Sequence, residues 1–240
     1  MSLPPEERLK FFVYIVESPS APDLYHKRSE GDLLKQAINL DQIPCVARYA
    51  VTKEAFEAAI KIGLHEEMEL FPNLIPILHI SAHGFSEGVQ LSSKEIVTWT
   101  ELRELLKPVN KALQGCLIVC MSCCEGYAGI RMAMIPEDPD LPYFAIIGNS
   151  ASPNWSDTAV AYATFYHLIA KGEYVINAVN AMRISSGDDK FYVETAKETL
   201  ESYMEYIQKL DAHTVKEELR DDIQKEPPSN LAKLTELEGK

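Results

Sequence analysis

The sequence predicts an α/β fold, a mostly parallel sheet of roughly six strands with helices on both faces. Short β-branched and aromatic runs of strand length alternate with segments of helical periodicity from Phe11 onward. Two of the apolar runs also end in a glycine-bearing polar turn, as buried parallel strands do when they deliver side chains to the carboxyl edge of a sheet.

Phe11-Phe12-Val13-Tyr14-Ile15-Val16 is the first predicted strand, and the proline- and serine-rich segment 17–23 is a loop at its end. Residues 30–40 carry Leu33, Leu34, Ile38 and Leu40 at helical spacing. Segment 45–51 reads as a second strand, and Thr52 caps a helix over 53–63 with Phe56, Ala59 and Ile60 on one face. This βαβα order opens a doubly wound sheet. The third strand, Pro76-Ile77-Leu78-His79-Ile80-Ser81-Ala82-His83-Gly84, ends in His-Gly. Residues 88–91 form a short hairpin-like piece, and Thr98 or Thr100 opens a helix that Pro108 limits. The fourth strand lies in Gly115-Cys116-Leu117-Ile118-Val119-Cys120-Met121-Ser122-Cys123-Cys124-Glu125-Gly126.

Residues 143–148 are a fifth strand, followed by the polar loop 149–154. Ser156 or Asp157 caps a long helix that stops at Gly172, and a second helix covers 174–184. Phe191-Tyr192-Val193 is a sixth, edge strand. Residues 196–223 are helical and highly charged, and Pro227-Pro228 ends that pattern. The expected organisation is one domain over 1–195, a helical extension over 196–225 and a mobile tail over 226–240. No internal repeat or low-complexity tract interrupts it.

With 240 residues, 46% apolar and 25% charged, the chain can bury a sizeable core and has the composition of a soluble globular protein. A formal net charge of −13 argues against nucleic-acid binding, because phosphate contacts need a basic face. The five cysteines are odd in number and several sit inside apolar runs, which suits a reduced, cytoplasmic setting. The acidic start is no signal peptide, and every apolar run is far shorter than the roughly 20 residues needed to span a bilayer. No glycine loop of the phosphate-cradling kind is present, which argues against a flavodoxin-type ligand domain, and no cofactor is expected.

If the third and fourth strands are neighbours, His83 and the cysteines at 123 and 124 emerge side by side. An imidazole next to a thiol supplies the base that a Cys nucleophile needs. Gly84 would let a substrate carbonyl approach the backbone, with amides from this turn available for an oxyanion. Each residue alone has a structural reading, since strand-end histidines are often satisfied core groups and free Cys packs as a small hydrophobe. The pairing at two strand ends singles them out. Spacing alone does not choose between Cys123 and Cys124. His79 lies on the same strand face as His83, two pleats deeper, and reads as a core group or as one that supports the site from behind, and Cys116 and Cys120 read as packing. A zinc site from Cys120, Cys123, Cys124 and His83 is disfavoured, because strand alternation puts Cys120 and Cys123 on opposite faces; no metal is expected.

At these two motifs the sequence resembles the CHAT domains, in the caspase-like, separase-related clan of cysteine peptidases. Their His motif is an apolar strand ending in His-Gly, matched by His79-Ile80-Ser81-Ala82-His83-Gly84. Their Cys motif is matched by Val119-Cys120-Met121-Ser122-Cys123-Cys124-Glu125-Gly126 with Cys123 in the nucleophile position. Cys124 stands where most relatives have a polar residue. The similarity extends over about residues 74–186. It implies a caspase-like sandwich and peptide-bond hydrolysis, with Cys123 as nucleophile, His83 as general base and then acid, and backbone amides near Gly84 and Cys123 as oxyanion donors. It further implies a protein substrate, and Asp157, Asp138 and Asp140 as a candidate specificity pocket for Lys or Arg, although Asp157 also reads as a helix cap. No sensor or repeat module accompanies the motifs, so any activation is expected to come from a separate regulatory protein or from a processing event, and the resemblance associates the chain with bacterial defence or cell-death systems. The alternative is a catalytically silent interaction module of the same fold.

Overall fold

The structure, a computed structural model, describes residues 3–225, with side chains (Pro5 apart) through residue 210; the predicted tail over 226–240 lies outside the described residues. Residues up to Leu200 form one compact unit, and the remainder belongs to a second.

In chain order the first unit contains β1 (Phe11–Glu17), α1 (Ala21–Tyr25), α2 (Glu30–Asn39), β2 (Cys45–Tyr49), α3 (Lys53–Ala58), α4 (Leu64–Leu70) and β3 (Ile75–Ser81). There follow β4 (His83–Phe85), β5 (Gly88–Gln90), β6 (Ile96–Thr98), α5 (Trp99–Ala112), β7 (Ile118–Ser122), β8 (Ala145–Asn149), α6 (Trp155–Ala170), α7 (Val175–Ser186) and β9 (Phe191–Thr195). The helix α8 (Ala196–Lys225) begins in this unit and continues into the second. The main sheet has six strands in the order β2-β1-β3-β7-β8-β9. Its first five strands are mutually parallel and β9 runs antiparallel to β8. The predicted class, a mostly parallel α/β sandwich, is the observed one. A second, small antiparallel sheet, β4-β5-β6, follows directly on the His-Gly motif.

Alternation along each strand divides the core in two. Phe12, Tyr14, Val16, Leu78, Ile80, Val119, Met121 and Ile146 join the cluster that Phe56, Leu64, Leu102 and Leu106 cover from α3, α4 and α5. Phe11, Val13, Ile15, Ile77, Ile118, Cys120 and Ile147 join the opposite cluster, covered by Leu34, Ile38, Tyr162, Phe165, Tyr166, Val179 and Met182 from α2, α6 and α7. Helices on both faces are why the strands read as unbroken apolar runs.

Local signals misplaced three features. The helix after Thr52 does not stop near Gly63 but passes through a π turn over Ala59–Gly63 into α4, with Ile60 and Leu64 both buried. The helix α5, capped by a Thr98–Glu101 capping box, runs through Pro108. Proline removes one intrahelical bond, but Leu105, Leu106, Val109 and Asn110 are buried around it, and the Asn110 side chain bonds Leu141 O at 2.9 Å and the Leu117 amide at 3.0 Å. Tertiary packing therefore carries the helix past the break. The cap of α6 is Asn154, with Ser156 and Asp157 inside the first turn.

Candidate active site

Because β1, β3, β7 and β8 are parallel, their carboxyl ends share one edge, and the segments that follow them surround a cavity of about 540 Å³. Asp23 and Arg28 come from the β1–α2 connection, Ala82 and His83 from the end of β3, Ser122, Cys123 and Cys124 from the end of β7, and Asn154, Trp155 and Ser156 from the start of α6. Ligands bind α/β sheets at this edge.

The two predicted strands are neighbours. Ser81 is in register with Ser122, and the Ala82 amide donates to Ser122 O at 3.3 Å, so the pairing continues to the last residue before His83. His83 then leaves the main sheet, opens β4 opposite Gln90, and is exposed.

The two cysteines differ sharply. Cys123 continues the alternation of Val119 and Met121, is 4% exposed, and belongs to the apolar cluster that also holds Ala82. Its Sγ is walled in by glycines: a Cβ on Gly84 would lie 2.9 Å from it, and one on Gly126 3.0 Å away. Burial pushes its thiol pKa well up, with Cys124 and Glu30 adding to the shift. Cys124 is half-buried and stands at a tight turn. Glu125 after it has φ 52°, in the left-handed region, and its amide donates to Ala151 O at 2.7 Å, while the Gly126 amide returns to Cys123 O at 3.2 Å. A Cβ on Gly84 would also overlap Cys124 O, so the His-Gly motif and the cysteine turn touch backbone to backbone. Only glycine permits that approach.

Beneath this edge lies a buried polar network that sequence reasoning missed. Glu30, the first residue of α2, is 4% exposed. Its carboxylate accepts from Ser81 Oγ at 2.6 Å and from Ser122 Oγ at 2.7 and 2.8 Å. The Glu30 amide donates to Glu17 Oε1 at 2.8 Å, and the Gly31 amide and Ser29 Oγ donate to Glu17 Oε2 at 3.1 and 2.6 Å. Glu17 thus holds the amino end of α2, where a carboxylate is favoured. His79, predicted as a core group, is fully buried, with Nδ1 2.8 Å from Tyr166 OH and Nε2 3.9 Å from Glu30 Oε2. A signal was present: the strand-end residues Glu17, Ser81 and Ser122 are polar at the ends of runs that are mostly apolar.

Other expected residues lie elsewhere. Asp138 pairs with Lys107 at 2.6 Å and Arg103 at 2.9 Å, and these two contacts hold its carboxyl well below the usual range. Asp140 sits 3.8 Å from Lys111. Neither lines the cavity, because the loop after the cysteine turn folds back onto α5 rather than over the edge. Asp157 is also outside the lining, with contacts to Asn154 and Ser156 in the first turn of its own helix. The charged groups of the cavity are instead Arg28 and Asp23, 3.6 Å apart with side chains 60% and 18% exposed. Cys120 is buried on the α6 face, its thiol pushed up to about 12 by burial, while Cys123 is in the opposite cluster. The two have no common site. Cys116, read as a packed strand residue, precedes β7 and is exposed.

No protein-family model matches the chain, and no curated protein matches it. Among solved structures it is similar to the Arg-specific cysteine proteinase gingipain R, at 14% sequence identity and a TM-score of 0.45, over 78% of this chain and 46% of that one. The chain therefore spans less than half the length of that structure. Among the described residues no helix is long and apolar enough to cross a membrane.

Proposed function

We propose that the protein is a cysteine endopeptidase with Cys124 as nucleophile and His83 as its base. The observation that carries this reading is the convergence of an exposed His83 and a half-buried Cys124 on one cavity at the carboxyl edge of the sheet. The sequence resemblance assigned the nucleophile to Cys123. Its burial, its raised pKa and its place in the apolar cluster favour a packing role for that residue and shift the assignment one position along.

In this mechanism His83 takes the thiol proton of Cys124, and the thiolate attacks the carbonyl carbon of a peptide bond. The negative charge passes to the carbonyl oxygen, which accepts from the backbone amides of Gly84 and Cys123. His83 returns the proton to the leaving amine as the C–N bond breaks. Water, deprotonated by His83, then attacks the thioester and releases the acid and the free thiol.

The reading extends to specificity. Arg28 contacts Asp23 through Nε, which leaves the two-pronged end of its guanidinium to take a carboxylate of the substrate. We therefore assign the preferred side chain to Asp or Glu, in place of the Lys or Arg that a pocket of Asp138, Asp140 and Asp157 would have taken. Control by a regulatory protein within a bacterial defence or cell-death system is carried over from the sequence resemblance as part of the proposal.

A thiol-directed peptide probe tests the reading. Labelling should vanish in Cys124→Ala, persist in Cys123→Ala and fall in His83→Ala. Labelling that survives Cys124→Ala, or that ignores His83→Ala, would refute it.

A further inference from the structure

We infer that Glu30 is a positioning residue for the His83–Cys124 pair, acting as a carboxylate clamp between the two strands that carry it. The inference rests on the peptidase reading above and adds a residue remote from both motifs.

Burying a carboxylate is costly unless its oxygens are hydrogen-bonded. Glu30 is almost fully buried, and its two oxygens are shared by two hydroxyls, Ser81 Oγ and Ser122 Oγ, at 2.6 to 2.8 Å. Those serines are the terminal residues of β3 and β7, paired directly across the sheet. Ser81 lies two residues before His83, and Ser122 two before Cys124. One side chain therefore spans the point where the two strands release the base and the nucleophile. The clamp is itself anchored: the Glu30 amide is held by Glu17 at 2.8 Å, and a Cβ on Gly31 would lie 2.7 Å from Glu17 Oε2, so the close seat of that carboxylate needs a glycine.

Stability alone does not call for this arrangement, because well-packed apolar residues in place of a buried charged group are often as stable or more so. What a shared carboxylate adds is a fixed separation of two strand ends. A shift of about 1 Å in reacting groups can cost about a hundredfold in rate.

The test uses the full chain and needs no known substrate. Iodoacetamide alkylation of Cys124, followed by mass spectrometry, is timed in Glu30→Ala, Glu30→Gln and the double serine variant Ser81→Ala/Ser122→Ala, each with and without His83→Ala. We expect His83→Ala to slow alkylation by about a hundredfold, within the usual contribution of a positioned base. Glu30→Ala should slow it by at least about tenfold and add nothing in the His83→Ala background, because both changes break one unit. Glu30→Gln, which still bridges the hydroxyls, should stay within about threefold of wild type, since the geometry is kept. A wild-type rate in Glu30→Ala overturns the inference. So does a loss that multiplies with that of His83→Ala, which would mark an effect independent of the His83–Cys124 pair. If Glu30→Ala does not fold, the double serine variant decides by the same two criteria. Unchanged alkylation in His83→Ala sinks the peptidase reading, and the clamp with it; a normal His83 effect with silent Glu30 and serine variants sinks the clamp alone.

Discussion

The two faces of the main sheet are built from alternate residues of the same strands, yet they end differently. On the face under α3, α4 and α5, side chains stay apolar to the carboxyl edge: Val16 on β1, Ile80 and then Ala82 past β3, Met121 and then Cys123 past β7. On the face under α2, α6 and α7, each strand begins apolar with Phe11, Ile77 and Ile118, and finishes in Glu17, Ser81 and Ser122. One face packs to its end, and the other becomes a hydrogen-bonded support for the loops above it. Cys123 is the last member of the packing face. Cys124 comes one residue later, where alternation has ended and the chain turns.

The largest expected effect separates those two cysteines. Cys124→Ala should lower peptide cleavage at least about a thousandfold, as removal of a nucleophile does. Cys123→Ala should stay within a few-fold, alanine being close in size to a thiol packed between Gly84 and Gly126. Equal losses in both variants, read with a peptide library, would erase the proposed division between the faces. Adjacent residues of β3 offer the next contrast. Ile80→Ala, on the packing face, should cost about 2–5 kcal/mol of unfolding free energy with Cys124 labelling intact in the folded fraction. Ser81→Ala, on the supporting face, should cost about 1–3 kcal/mol, because it leaves a buried acceptor short of a donor, and should slow labelling. Denaturant melts paired with labelling rates distinguish them, and the idea fails if stability and labelling fall together in both.

A smaller effect concerns specificity. Removing the charged fork in Arg28→Ala should reduce cleavage after Asp or Glu by about tenfold relative to uncharged residues, the worth of one charge-assisted contact. An unchanged library profile would move the specificity determinant away from the Arg28–Asp23 pair.

What the sequence made legible follows from range. Strands, their apolar character and their delivery of His83 and the paired cysteines are local properties, and right-handed parallel connections then bring the strand ends to one edge. The choice between Cys123 and Cys124 depends on which of two adjacent residues still obeys strand alternation, and β7 ends at Ser122, inside the motif. Asp138 and Asp140 were placed at the cavity because they look like free loop acids until Arg103 and Lys107 of α5 are seen to hold Asp138 and Lys111 to sit beside Asp140. Glu30 was invisible for the same reason: its partner Ser122 is 92 residues away. In sequence it is one more helix-starting acid.

The supporting face also carries a pH signature in the carboxyl range. Burial raises the carboxyl of Glu17 above its ordinary value of 4.5, and the Ser29 hydroxyl and the amides of Glu30 and Gly31 pull it back only in part. The folded state therefore holds this proton more tightly than the unfolded chain does. By linkage, its contribution to stability is fully present below the unfolded value and is lost as pH rises through the folded one. In Glu17→Gln that proton is gone from the balance, and the cost of replacing a carboxylate that accepts from Ser29, Glu30 and Gly31 is a constant offset. The melting temperature of the variant minus that of wild type, measured from pH 4 to pH 7 at fixed salt, should then climb with pH. A flat difference would mean that Glu17 ionises in the folded protein as freely as in water, and that hydrogen bonds from α2 fully offset the cost of burying it. A falling one would mean that they more than offset it, making the supporting face strongest when its carboxylates are charged.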